Sequence, residues 1–251
     1  MKIAVFTDIH GNLEALNAII EDIKKQNVDN IICLGDSIGF GPNSKECIDT
    51  IIENKINMTF GNHELYSIKG SDIDQNKFAL HHKWIKEQLT KKELDFISSC
   101  PPYYECTIKY DENILDKKII FSHYLIKDRN LDYPFEKEHL KEGINLWKKY
   151  FDFTKTYIVG HLHKSFDENE VEGIKDDYIE DIDELPNIIV LDSSGCTGND
   201  ETSYMIVTVK KSIEFKIIKI KYDRKTFESK IKKQDFPNKT EILNSFFEIE
   251  V

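Results

Sequence analysis

Hydrophobic positions along the first sixty residues change period in a regular way. Lys2 to Thr7 is an almost unbroken apolar and β-branched run, which predicts a strand. Asp8 to Asn12 interrupts it, and Leu13, Leu16, Ile19, Ile20 and Ile23 then recur at helical spacing. A second strand is expected at Asn30 to Leu34, a helix at about Ser44 to Asn54, and a third strand at Asn57 to Phe60. Strands alternating with helices argue for parallel βαβ units and an α/β fold. Phe78 to Ser98 reads as helix with a break near Thr90, and a further helix is expected between Glu136 and Tyr150. Tyr103 to Tyr110, Lys118 to Ser122 and Thr156 to Val159 read as strands. Asn187 to Leu191, Ser203 to Val209 and Ile213 to Ile220 are strand runs without helices between them. Meander pairing is the expectation there, which makes the sheets mixed. The chain from Asp223 onward reads as lysine-rich helical and irregular surface.

A chain of 251 residues, 40% hydrophobic and 31% charged, suits one globular domain spanning residues 1–251. Its apolar runs all fall short of the ~20 residues that a membrane helix needs. The N-terminus enters a strand run at once, without a cleavable secretory segment, so a cytoplasmic location is expected. Five cysteines, Cys33, Cys47, Cys100, Cys106 and Cys196, are scattered and never spaced C-x-x-C. Reduced structural thiols are the reading, with Cys33 in the core.

Charge narrows the partners. A net charge of −11 disfavours long nucleic acid, whose binding relies on phosphate neutralisation by Lys and Arg. Arg129 and Arg224 are the only arginines, so bidentate clamps on phosphate are nearly unavailable. Phosphate chemistry would need another positive charge, and metal ions can supply it. Asp167 to Glu184 holds ten carboxylates and reads as an acidic, solvated insertion at about 167–186.

Candidate chemistry recurs at strand ends. Asp8-Ile-His10, Gly35-Asp36, Gly61-Asn62-His63-Glu64, Ser122-His123 and Gly160-His161-Leu-His163 each follow an apolar, β-branched run. In open α/β sheets the crevice beyond the carboxyl ends of strands binds ligands. A lone Asp-x-His is more often a turn with a satisfied imidazole, and Gly-Asp is a common turn. Five such motifs with N and O donors, holding five of the eight histidines, are a different matter. In Gly-His-x-His, alternate residues of an extended chain would aim both imidazoles at one metal centre.

Together these motifs resemble the calcineurin-like metallophosphoesterase superfamily, with its D-x-H, GD, GNH(E/D), H and GHxH pattern, over roughly residues 1 to 210. The stretches Asp8-Ile-His10-Gly-Asn-Leu-Glu-Ala-Leu and Gly35-Asp-Ser-Ile-Gly-Phe-Gly-Pro-Asn-Ser-Lys-Glu-Cys are most similar to its small bacterial phosphodiesterase-like branch. The fold implied is two mixed β-sheets packed face to face and flanked by helices. The resemblance implies one metal at Asp8, His10, Asp36 and His163, and a second at Asp36, Asn62, His123 and His161, with Asp36 bridging. Two carboxylates against two divalent ions and a bridging hydroxide leave a centre of about +1, matched to phosphate, with the hydroxide as nucleophile. His63 is implied as the catalytic group beside the leaving oxygen. Imidazole and carboxylate donors suit Mn first, with Fe, Zn, Ni or Co as alternatives, and disfavour Ca.

The expected activity is hydrolysis of a small phosphoester, a phosphodiester or nucleotide-type substrate. Gly61 to Glu64 and Leu191-Asp-Ser-Ser-Gly-Cys196 also resemble Ser/Thr phosphoprotein phosphatases and diadenosine tetraphosphate hydrolases, but no arginine follows Asp36 as it does there. The small phosphodiesterase branch usually carries Asn-Pro-Gly-Ser where this chain has Asp192-Ser-Ser-Gly195. A binding scaffold on the same fold is the non-enzyme alternative, although every ligand position here is filled. His81 and His82, on a helix with Trp84, are expected to pack at or near the surface. Asn12 is expected to cap the first helix. Lys127 and Arg129 are expected on an exposed loop.

Overall fold

A computed structural model describes residues 1–69, 77–108, 117–123, 155–163, 187–210 and 212–250. The first part of the chain forms β1 (Lys2–Phe6), α1 (Leu13–Ile23), β2 (Asn30–Cys33), α2 (Ser44–Glu53) and β3 (Asn57–Met58). Three helices follow: α3 (Asn62–Lys69), α4 (Ala79–Gln88) and α5 (Lys91–Ser99). Then come β4 (Tyr103–Ile108), β5 (Lys117–Ser122), β6 (Lys155–Val159), β7 (Asn187–Val190), β8 (Glu201–Val209) and β9 (Ile213–Lys221). Two helices close the chain, α6 (Arg224–Lys233) and α7 (Lys239–Phe247). The break near Thr90 is a capping box, in which Thr90 and Glu93 satisfy each other's backbone at the start of α5.

Among the described residues the strands make two mixed sheets, β3-β2-β1-β8-β9 and β4-β5-β6-β7. Strand β1 runs parallel to β2 and antiparallel to β8, and β5 runs parallel to β6 and antiparallel to β4. Side chains alternate across β1 as the pleat requires. Ile3 and Val5 face the second sheet and pack with Ile119, Phe121 and Ile158. Ala4 and Phe6 face the opposite way, against Leu16 and Ile19 of α1 and Ile48 and Ile51 of α2. One sheet is therefore buried on both faces, between helices and its partner sheet. This arrangement is the face-to-face α/β architecture expected from the sequence.

Three expectations need correction. Strand β7 does not join β8 and β9 in a meander; it pairs parallel with β6 in the other sheet. Hairpin turns use about two to five residues, whereas the chain from Leu191 to Asp200 crosses between sheets, with Ser194 N donating to Thr7 O and Gly195 N to Asp8 O. The third strand ends at Met58, and the chain turns into α3 at the Gly-Asn-His-Glu motif. The tail after Asp223 is also more than surface. Phe227, Ile231, Phe236, Ile242, Leu243 and Phe247 bury there and pack with Phe40 and Ala15. The expected helix at 136–150, the acidic insertion, and Lys109, Tyr110, Lys127 and Arg129 lie outside the described residues.

Candidate metal centre

The loops beyond β1 and β2 continue to pair where the strands stop. Asp8 N donates to Gly35 O at 3.0 Å, His10 N to Asp36 O at 2.9 Å, and Gly11 N to Ser37 O at 3.0 Å. Side by side, the two loops leave the strand conformation together. Asp8, His10 and Asp36 have φ of 53°, 47° and 49°, and His161 and His163 beyond β6 have 70° and 57°. These five are more than half of the nine non-glycine residues with positive φ among the described residues. A left-handed residue with a side chain costs roughly 1–2 kcal/mol. Strain of this kind clusters where surrounding structure holds functional groups in place.

Glu64, in the first turn of α3, does much of that holding. Its buried carboxylate accepts from Gly61 N at 2.9 Å, Asp36 N at 2.8 Å, Ser37 N at 2.8 Å and Ile38 N at 3.3 Å. His63 N in turn donates to Asp36 Oδ1 at 2.9 Å. The sequence contained this residue in the Gly-Asn-His-Glu motif, but its role as the brace of the β2 loop needed the structure. Two glycines show how tightly the carboxylates are enclosed. A Cβ on Gly61 would lie 2.2 Å from Asp36 Oδ1, and one on Gly160 would lie 2.5 Å from Asp8 Oδ2.

All seven expected ligands converge. His10 Nε2 lies 2.9 Å from His163 Nε2, and Asp8 Oδ1 lies 3.6 Å and 3.3 Å from them. Asp36 Oδ2 lies 3.9 Å from His10 Nε2 and 3.1 Å from His123 Nε2. His123 Nε2 is 3.1 Å from Asn62 Oδ1 and its ring packs edge-on against His161 at 5.1 Å. Asp36, His123 and His161 form one donor group, with donor atoms within 4.8 Å of one another. Asp36 thus stands between two sets of donors. The paired histidines reach them differently from expectation. His161 and His163 are both left-handed rather than extended, and they separate, His161 toward His123 and His163 toward His10.

The donors fit cations. Two atoms each about 2.1 Å from one ion lie roughly 3.0–3.4 Å apart at the usual angles. Asp8–His163 at 3.3 Å and Asp36–His123 at 3.1 Å match this, while Asp8–His10 at 3.6 Å and Asp36–His10 at 3.9 Å are slightly wider. Asp8 Oδ2 is occupied by Thr7 Oγ1 at 2.6 Å and His161 N at 3.0 Å. Its Oδ1 is fully buried with no hydrogen-bond donor, and such an atom needs a positive partner. Burial opposes ionisation of Asp8 and Asp36, yet the surrounding histidines, His123 foremost, hold both carboxyls well below the usual range. Among the described residues no lysine or arginine pairs with either carboxylate. In the metal-free protein histidine meets their charge, a place that a bound cation would take.

His63 sits over the centre, with His10 edge-on at 4.8 Å and Phe40 at 4.7 Å. Burial holds its imidazole well below the usual range, so the ring is neutral, and its Nδ1 has no partner. His81 and His82 depart from the surface placement expected of them. They are 0% and 6% exposed, with His82 edge-on to His63 at 4.8 Å and His81 Nε2 3.3 Å from Gly39 O. Neighbouring Trp84 and Phe236 explain this, because the C-terminal unit covers that face of α4. Asn12 caps α1 as expected, its Oδ1 accepting from Ala15 N at 3.0 Å, and its Nδ2 also donates to Gly195 O.

Residues 1–191 match the family described as calcineurin-like phosphoesterase. The chain belongs to that family. This calcineurin-like phosphoesterase is 34% identical over 243 residues to MJ0912, an uncharacterized protein of Methanocaldococcus jannaschii, covering 94% of this chain and 93% of the relative. Its fold is similar to a metallophosphoesterase from Sphaerobacter thermophilus, with a TM-score of 0.65 and 22% identity over 92% of this chain and 93% of the other. It is likewise similar to the Pyrococcus horikoshii protein PH1004, with a TM-score of 0.68 and 16% identity over 100% and 99%. The protein is accordingly a phosphoester hydrolase of a family that uses divalent metal ions. Among the described residues no helix is long and apolar enough to cross a membrane.

Proposed function

We propose that the protein hydrolyses small phosphodiesters or nucleotide-type phosphoesters at two divalent cations bridged by Asp36. The observation that carries this reading is the position of Asp36 between the His10 side and the His123–His161 side of one donor cluster. Asp8, His10, Asp36 and His163 would hold one ion, and Asp36, Asn62, His123 and His161 the other, with manganese the first choice. Such a pair supplies an acidified water and a clamp for phosphoryl oxygens.

The chain's own residues do the rest. Asp8 and Asp36 neutralise about two of the four positive charges, which leaves a centre that attracts a phosphate anion. Among the described residues the one arginine, Arg224, is bonded to Glu228 and backbone carbonyls, and the ions would take the place of an arginine clamp. His63, neutral and beside the centre, is placed to donate a hydrogen bond to the leaving oxygen, and protonating it would require the ring to take up a proton first. Glu64 fixes the backbone of Asp36 through Asp36 N, so the bridge keeps its orientation.

Hydrolysis of bis-p-nitrophenyl phosphate with added Mn²⁺ tests the proposal. His63→Ala should lower kcat by about 10²–10⁴-fold while metal content is kept, and Asp36→Asn should abolish turnover. No turnover by the unaltered protein with Mn, Co, Ni, Zn or Fe would overturn it.

A further inference from the structure

The metal centre has a neighbour that its oxygen and nitrogen donors do not explain. Cys196 follows the crossover from β7, and its Sγ lies within 4.8 Å of donor nitrogens of both His10 and His163. Cys196 has a mixed setting, packed against the C-terminal core cluster on one side and partly exposed on the other. Cys33, Cys47 and Cys100 are buried among apolar side chains, whereas Cys196 is partly exposed. It shares with His163 a cavity of about 210 Å³, lined also by Asp192, Asn199, Glu201 and Lys219.

The backbone holds Cys196 firmly at that place. Cys196 N donates to Ser193 Oγ at 2.8 Å, Ser193 Oγ donates to Asp8 O at 2.8 Å, and Gly195 N donates to Asp8 O at 3.0 Å. A Cβ on Gly195 would fall 1.8 Å from Ile9 O, so this loop lies directly on the Asp8–His10 turn. Arg224 of α6 donates to Thr197 O and Asn199 O, and through Nη2 to Phe247 O at 2.6 Å. One of two arginines in the chain is thus spent on fixing the loop beyond Cys196. The second observation pointing to a ligand is the orphaned Asp8 Oδ1, fully buried and 3.3 Å from His163 Nε2 and 3.6 Å from His10 Nε2. The thiol and this carboxylate oxygen thus approach the same two imidazoles.

We propose that Cys196 is a thiolate ligand of the ion held by Asp8, His10 and His163, and that it makes this position bind zinc, iron or cobalt more tightly than it otherwise would, while manganese supplied in excess still fills it. The inference rests on the metal-centre reading and refines it. At the usual angles a metal–sulfur bond of about 2.3 Å and a metal–nitrogen bond of about 2.1 Å place S and N roughly 3.2–3.6 Å apart. Cys196 Sγ lies within 4.8 Å of both imidazole donors, and a side-chain rotation would bring it into that range. On binding, the thiol proton is released to solvent and the sulfur lone pair forms the bond, with no change of oxidation state. Soft sulfur favours thiophilic ions, while the Asp36, Asn62, His123 and His161 position keeps only N and O donors and stays permissive. The two halves of the centre would then differ in the metals they hold most tightly.

Cobalt(II) reads this directly in the metal-free protein. The unaltered chain should show visible d–d bands of protein-bound cobalt together with a near-ultraviolet sulfur-to-cobalt charge-transfer band. Cys196→Ser and Cys196→Ala should keep d–d bands and lose the charge transfer. They should also weaken zinc binding by at least about 10-fold, the scale on which even outer-shell changes act, and leave manganese binding unchanged. Bound cobalt without any charge-transfer band in the unaltered chain would overturn this inference and leave the metal centre standing. A charge-transfer band that survives in both variants would assign the sulfur elsewhere and overturn it too. Failure to bind cobalt at all would remove the metal-centre reading itself. Circular dichroism of the variants separates loss of the band from loss of the fold.

Discussion

His123 is a residue whose ionisation the metal centre changes strongly. Burial acts against its charge, but Asp36 and Asp8 push the imidazole up to about 9. His161, by contrast, is held down to about 4 by burial and by His123, and is neutral already. Against burial, Cys196 and Asp8 likewise hold His163 well above the usual range, so in the metal-free protein protons occupy nitrogens that cations would use, His123 among them. The stability the His123 imidazolium provides is complete below the ordinary histidine value of about 6.5 and is lost as pH rises through about 9. Metal uptake must expel these protons. We expect manganese binding at pH 7.5 to release protons, and apparent affinity to fall as pH drops. Titration calorimetry in buffers of different ionisation enthalpy checks this, and identical heats in all buffers would contradict it. At this scale the sequence was informative about residue type. Asp8, His10, Asp36, Asn62, His123, His161 and His163 were all legible as strand-end donors. The left-handed backbone of Asp8, His10, Asp36, His161 and His163 was not, since tertiary contacts such as the hydrogen bonds between the β1 and β2 loops hold it. Neither was Cys196, since its approach to His163 depends on a crossover between sheets.

Among the elements, α3 was missed and matters most. Asn62-His-Glu-Leu-Tyr-Ser-Ile-Lys69 mixes polar and apolar residues without a clear stripe, so periodicity gave no helix there. Tertiary contacts form it instead, with Glu64 turned inward to accept four backbone amides. That gives α3 a structural role separate from the donor Asn62. Replacing Glu64 with Ala leaves several buried N–H groups without acceptors, each costing about 1–3 kcal/mol. We expect a loss of about 3–5 kcal/mol in denaturant unfolding, with metal binding weakened as Asp36 loses its brace. Glu64→Gln, which keeps an acceptor oxygen, should lose less. Equal stability of Glu64→Ala and the unaltered chain would refute the role assigned to it. Helices α1 and α2 were legible because their apolar faces repeat at helical spacing, and Asn12 supplied the expected cap.

Across the whole molecule, the sheets deliver the site and the C-terminal helices cover it. Strands β1 and β2 of one sheet lead into Asp8 and Asp36, and β5 and β6 of the other lead into His123 and His161, with parallel pairing aligning the carboxyl ends within each sheet. That much followed from alternating strands and helices in the sequence. The role of α6 and α7 did not, since a lysine-rich segment reads as surface until its apolar residues have something to pack against. They lie beyond the residues 1–191 of the family match, yet Phe246 stacks on Phe40 at 3.7 Å and Phe40 on His10 at 4.9 Å. The packing of that unit therefore reaches the metal centre. Phe227→Ala, at a fully buried position, should cost about 3–5 kcal/mol and lower metal affinity as the cover over Phe40 loosens. Thermal melts with and without manganese would show both effects. A variant that lost stability but bound metal normally would mean the C-terminal unit is only a structural support.

The most direct test of two cations sharing one carboxylate is metal analysis of manganese-loaded protein together with its electron paramagnetic resonance spectrum. The account predicts two ions per chain and an exchange-coupled signal, with both features lost in Asp36→Asn. A single uncoupled ion per chain, or an unchanged coupled pair in Asp36→Asn, would contradict it.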